Sequence, residues 1–125
     1  MMKSRDSAKR AVIYARSDGF ALEHEPDSLP YQIDLDSRYC AKQGYAIVAT
    51  FKELAAGEMS QRSEFLKLRQ TMEERTFDVI VVSSFDRISE IDAIVQAFII
   101  EAEGKGFWVE SVTEPGIDIQ EELLA

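Results

Sequence analysis

Two short segments of this chain combine arginine with oxygen-bearing side chains that could do chemistry. Tyr14–Asp18 places Arg16 beside a serine and an aspartate, and Phe85–Ser89 contains the pair Asp86 and Arg87. Guanidinium groups match phosphate oxygens, a hydroxyl can attack phosphorus, and carboxylates can neutralise arginine or bind a cation. The residue types alone therefore leave open an anion site, a cation site and an internal ion cluster.

The elements that must position these segments follow from the hydrophobic pattern. Short apolar runs predict strands, and apolar residues spaced three and four apart predict helices. The predicted strands are 11–15, 45–51, 77–82 and 107–112, and the predicted helices are 28–44, 63–75 and 91–104. This alternation predicts an α/β fold with a mostly parallel sheet of four to five strands and helices on both faces, layered as in flavodoxin-like folds.

In such a sheet the loops that follow the strands share one edge. The prediction therefore gathers acidic and basic side chains there: Arg16, Asp18, Glu53, Asp86 and Arg87.

In this order the segments resemble the catalytic domain of serine recombinases, the resolvase/invertase family. The resemblance runs from about Ala11 to Pro115 and includes the run Val112–Pro115. It implies a serine hydroxyl that attacks a DNA phosphate to form a phosphoserine link, with arginines that hold the phosphate. The positions that match the family's site residues are Arg16, Gln32, Arg62, Asp86 and Arg87.

Departures from the family pattern concern the nucleophile and one of the positive charges. The pattern Tyr-x-Arg-x-Ser has Asp18 in place of its serine, Ala56 stands in place of a loop serine, and Asp-Arg-x-x-Arg ends in Glu90. A carboxylate beside an incoming phosphate costs about 1–4 kcal/mol near a surface. We expect Asp18 and Glu90 to pair with Arg16 and Arg87 in a self-neutralised ion cluster.

Three alternatives remain open at this point. Ser17 becomes the fallback nucleophile if the loop is one residue shorter. Asp18, Glu53 and Asp86 could instead bind Mg²⁺. Taken singly, Arg16 and Arg87 are ordinary ion-pair partners, Gln32 is a solvated helix residue and Arg62 is a charge at a helix start.

Composition bounds the class of protein. The chain has 125 residues, 46% of them hydrophobic, which suits one domain, and the sequence divides into an arm (1–10), a resolvase-like domain (11–118) and the start of a C-terminal helix (119–125). Fourteen basic and 23 acidic residues give a net charge of −9, which predicts weak or no DNA binding by the chain alone. A single cysteine, Cys40, is expected to be a buried apolar residue in a cytoplasmic protein.

These observations favour a resolvase-like domain that has lost strand transfer and serves self-association or binding to a protein partner. The apolar run Phe98–Ile100 is a candidate surface for such contacts. The alternative is an active serine recombinase catalytic domain, complete alone or with a partner. No cofactor, metal or membrane segment is expected, because no glycine-rich nucleotide motif and no membrane-spanning apolar run occur.

Overall fold

The computed structural model describes residues 8–55 and 61–114 of the chain. Its strands are all parallel and form one sheet in the order β2–β1–β3–β4. In chain order the elements are β1 (Arg10–Ser17), α1 (Leu29–Gln43), β2 (Ala46–Leu54), α2 (Ser63–Met72), β3 (Val79–Val82), a 3₁₀ turn (Phe85–Arg87), α3 (Asp92–Gly104) and β4 (Trp108–Ser111). The predicted α/β class and parallel sheet are confirmed.

Strand β1 lies inside the sheet, and its residues Ala11–Ala15 are fully buried. Because side chains alternate along a strand, β1 contributes to two cores. Ile13 packs in the cluster that holds Cys40 of α1, whereas Tyr14 packs in the cluster that holds Phe98 of α3. Helices therefore cover both faces, as the apolar run of β1 predicts.

Some element boundaries differ from the prediction. Strand β2 continues to Leu54, into the stretch expected to be a loop. Arg10 belongs to β1, where its N–H donates to Asp78 at 2.8 Å and its guanidinium pairs with the same carboxylate at 3.3 Å, so the predicted arm ends before it. Helix α2 ends at Met72, before Arg75 takes a positive φ of 55°.

Other predictions concern residues outside the described part of the chain. These are Ala56, Pro115, most of the arm and the C-terminal helix at 119–125. Within residues 8–55 and 61–114, no helix is long and apolar enough to cross a membrane.

Helix α1 begins and ends as predicted, but it buries a polar stripe. Its buried residues are Gln32, Asp36 and Cys40, four apart on one face. Leu29 and Ile33, which the spacing pairs with Cys40, are only partly buried and line an open surface groove of about 640 Å³. The expected burial of Cys40 is confirmed, and Gln32 on the same face satisfies the main chain where β1 ends.

The cap of α1 gives a first testable prediction. Ser28 Oγ accepts the N–H of Tyr31 at 3.2 Å and donates to the carbonyl of Glu23 at 2.8 Å. Ser28→Ala should lower the free energy of unfolding by about 1 kcal/mol in urea denaturation. Ser37→Ala, within the same helix, is the matched control and should change it by less than about 0.5 kcal/mol. Equal losses in the two variants would contradict the capping role.

Candidate functional site

A pocket of about 140 Å³ lies at the carboxyl edge of the sheet. Strand β1 pairs with β2 on one side and with β3 on the other, so the chain reverses its direction across the sheet here. Ligands of open α/β sheets bind at such switch points. The pocket is lined by Arg16, Ser17, Asp18, Asp27, Ala55, Arg87 and Glu90.

Arg16 is buried and bonded to the main chain. Its Nε and Nη2 donate to the carbonyl oxygens of Arg87 and Asp86, each at 2.9 Å. Its Nη1 donates to the carbonyl of Ala55 at 3.4 Å. Since each guanidinium nitrogen has a carbonyl partner, Arg16 braces the turn after β3 from the end of β1.

Gln32 holds the end of β1 from helix α1. Its Oε1 accepts the N–H of Arg16 at 3.1 Å, and its Nε2 donates to the carbonyls of Arg16 and Asp27, each at 2.9 Å. The side chain is fully buried. The alternative of an ordinary solvated helix residue is therefore wrong, and Gln32 fixes both the Arg16 backbone and the start of α1.

Arg62 supports the same turn from the start of α2. Its guanidinium donates to the carbonyl of Ile88, to that of Arg87 at 3.0 Å and to the hydroxyl of Tyr14 at 2.7 Å. It lies 4.8 Å from the ring centre of Phe65, a cation–π distance. Burial, opposed in part by Arg62, raises the pKa of the Tyr14 hydroxyl well above its ordinary range, so Tyr14 stays a neutral donor and acceptor.

Glu53 serves the fold rather than a cation site. Its carboxylate accepts the hydroxyl of Tyr14 at 2.9 Å and the N–H groups of Phe65 and Glu64 at 2.8 and 3.1 Å. It therefore caps α2, whose own N-terminal residue makes no side-chain cap.

The Mg²⁺ alternative is wrong, because the three acids that it requires do not come together at one site. Asp86 is exposed and bonded to the Ser84 hydroxyl, Asp18 is exposed, and Glu53 is buried in the α2 cap. In the part of the chain that the structure describes, no three acids, histidines or cysteines are placed to hold a metal ion.

Arg87 is engaged by a carboxylate that the sequence did not single out. Its Nη1 forms an ion pair with Asp27, and its Nε donates to the Ser83 hydroxyl at 3.3 Å. The Asp86 carboxylate lies 3.8 Å from the same Nε. Asp27 directly precedes the cap residue Ser28, and this placement beside a helix start is the only sequence signal that could have suggested its role.

Asp18 does not form the expected ion cluster. Among the described residues its carboxylate has no ion pair, and it accepts the N–H of Phe20 at 2.9 Å in a local turn. Ser17 is 4% exposed, and its hydroxyl accepts the N–H of Gly19 at 3.0 Å. Both side chains therefore bond to the backbone of a tight turn. Gly19, with a φ of 91°, allows the chain to turn there.

Asp36 lies beneath the site and was not predicted. It is fully buried, and neither carboxylate oxygen has a hydrogen-bond partner among the described residues. Burial raises the pKa of Asp36 to about 8, although the positive charge of Arg87 acts in the opposite direction. The carboxyl therefore keeps its proton through neutral pH and ionises near pH 8.

Comparisons with known proteins agree with this architecture. The family model described as "Resolvase, N terminal domain" matches residues 11–123. A search of curated proteins finds no match.

Solved structures of known proteins are also similar to this chain. The C-terminal catalytic domain of ISC1926 TnpA, an IS607-like serine recombinase, is 30% identical with a TM-score of 0.71, over 92% of this chain and 78% of that one. The N-terminal catalytic domain of TP901-1 integrase is 20% identical with a TM-score of 0.79, over 93% and 89%. A resolvase family site-specific recombinase from Streptococcus pneumoniae is 15% identical with a TM-score of 0.72, over 93% and 83%.

The last two likenesses show the fold alone. The family model covers most of this chain, and the IS607-like relative matches 92% of this chain at 30% identity. Together with the switch-point pocket and its arginines, they show that the chain belongs to the resolvase family of serine recombinases, as a catalytic-type domain.

Proposed function

We propose that this domain has lost DNA strand transfer and works through contacts with protein, either a second copy or another chain. One observation carries the proposal: the position that holds serine in the family pattern is Asp18, whose carboxylate is exposed at the mouth of the pocket. Attack by a carboxylate would give an acyl phosphate, which is prone to hydrolysis and cannot readily return the phosphate to a DNA end.

The charges around the pocket support the same conclusion. Three carboxylates, those of Asp18, Asp27 and Glu90, line it together with two guanidinium groups, those of Arg16 and Arg87. A catalytic site for phosphoryl transfer needs an excess of positive charge where negative charge develops. The whole chain carries a net charge of −9 as well, so we propose that it binds duplex DNA weakly or not at all by itself.

Catalysis through Ser17 is the second candidate function. It is favoured by one observation, since Ser17 lines the same pocket as Arg87. Its hydroxyl would have to leave the Gly19 N–H and emerge from a buried position to reach a phosphate. A covalent DNA adduct that disappears in Ser17→Ala would support this candidate over the proposed one.

Protein contact is supported by apolar side chains left outside the core. Of the candidate run Phe98–Ile100, Phe98 is buried and Ile100 is 67% exposed, and Ile94 on the same helix is 45% exposed. These exposed side chains make α3 a candidate surface for contact with protein. We place the module in the cytoplasm on the evidence of its composition.

Sedimentation of the purified chain tests directly whether it works through contacts with protein. At about 100 µM, wild-type protein should sediment as a dimer or larger species, and Ile94→Glu or Ile100→Glu should shift it toward monomer. Lys67→Glu, an exposed change on α2, is the control and should leave the distribution unchanged. A wild-type chain that is monomeric and also captures no protein partner would contradict the proposal.

A further inference from the structure

The carboxylate of Asp27 forms an ion pair with the guanidinium of Arg87 in the wall of the pocket. The ion pair joins Arg87 Nη1 to Asp27 Oδ1, with the Arg87 side chain 16% exposed and that of Asp27 45% exposed. The guanidinium thus lies in the wall and the carboxylate at the rim. An anion that approaches from solvent meets Asp27 before it meets Arg87.

The main chain fixes Asp27 in this place. Its carbonyl accepts Gln32 Nε2 at 2.9 Å, and the next residue, Ser28, caps α1 and is held by the Glu25 carbonyl at 2.9 Å. The Asp27 carbonyl and the N–H of the next residue are thus both hydrogen-bonded. Because the backbone is fixed on either side of the carboxylate, the ion pair with Arg87 forms with little loss of entropy.

Arg16 and Arg62 do not offer a substitute. Their guanidinium groups are bonded to the carbonyls of the turn after β3, as described above. The Arg87 guanidinium makes one long main-chain bond, from Nη1 to the carbonyl of Arg16 at 3.4 Å, and its other partners among the described residues are side chains. Arg87 is therefore the arginine whose fork an incoming anion could engage mainly by displacing side chains.

We propose that Asp27 is a specificity-determining residue that acts as an internal anion: it takes the position of a phosphate at Arg87 and so excludes phosphate groups from the pocket. This inference rests on the proposed function, because it explains how a recombinase-type pocket rejects a phosphodiester. Asp27 would then be a second cause of this rejection, separate from the loss of the serine at position 18.

The test is the affinity for inorganic phosphate and for a short single-stranded phosphodiester oligonucleotide, measured by NMR titration of arginine Nε–H signals at fixed ionic strength. Asp27→Asn keeps the side-chain shape and removes its charge. It should bind either probe about five- to tenfold more tightly than wild type, with the Arg87 signal shifting most.

Asp34→Asn is the matched control, since it removes the same charge from an exposed ion pair with Arg38 on α1, outside the pocket. It should change affinity less than about twofold. If Asp27→Asn binds no more tightly than Asp34→Asn, or gains affinity without an Arg87 shift, the inference is overturned. The proposed function is tested by a different measurement, the formation of a covalent DNA adduct by wild type. Either result of the phosphate titration therefore leaves that test unaffected.

Discussion

Between about pH 4 and pH 8 this domain should lose roughly 3–5 kcal/mol of stability through one side chain, Asp36. The carboxyl is fully buried without a hydrogen-bond partner among the described residues, and burial raises its pKa from 3.8 to about 8. In this window the folded state keeps a proton that the unfolded state has released. Rising pH therefore favours unfolding until the folded carboxyl ionises, and above about pH 8 this side chain adds no further slope.

Asp36→Asn tests the assignment with almost no change in shape. The variant should equal wild type near pH 4 and exceed it by about 3–5 kcal/mol near pH 8, as measured by urea denaturation across the pH range. Asp78 and Glu101 act in the other direction. Burial opposes the shift at Asp78, but hydrogen bonds and charge from basic groups lower the pKa of both carboxyls, so the stability they contribute is lost as pH falls below about 4.5. The exposed change Asp34→Asn should keep the wild-type slope. A wild-type slope retained in Asp36→Asn would mean that another group is responsible.

Replacing Arg16 with methionine should destabilise the domain by about 3 kcal/mol. Arg16 is 6% exposed, and its guanidinium donates to the carbonyls of Asp86, Arg87 and Ala55. The variant would remove these three bonds, and among the described residues only the Arg87 carbonyl would keep a second donor, Arg62. Arg16→Lys should recover little of this stability, because an ammonium lacks the planar fork with which a guanidinium reaches several separate acceptors.

Arg69→Met provides the comparison for this second prediction. Arg69 makes a surface ion pair with Glu101 at 2.8 Å, so its loss should cost less than about 1 kcal/mol. Thermal and urea denaturation of the three variants measure the difference. If Arg16→Met is as stable as Arg69→Met, Arg16 is not a structural brace, and the account of an engaged arginine is wrong.

The parts of the fold that the sequence predicts are those governed by local pattern. The apolar run Ala11–Ala15 marks a strand buried on both faces, and Ser28 and Gly44 mark the ends of α1 because capping and left-handed conformation depend on the residue itself. The shared edge of the loops follows from the alternation of strands and helices, and it brings Arg16 and Arg87 to one pocket.

The remainder depends on contacts between distant residues. Glu53 caps a helix that begins ten positions later in the chain, and Asp27 reaches Arg87 across the sheet edge. Neither contact can be predicted from the spacing of residues along the chain. Helix α1 also turns Gln32 inward because the end of β1 requires hydrogen-bonding groups, which periodicity does not predict.

We propose that Asp18 leaves this recombinase-type domain without a nucleophile for DNA. Intact-mass analysis of the wild-type chain after incubation with a nicked duplex that traps covalent intermediates measures this directly, with Ser17→Ala alongside. We predict the unmodified protein mass in both samples. A nucleotide-bearing adduct on the wild-type chain, mapped to Ser17 and absent from Ser17→Ala, would contradict the account.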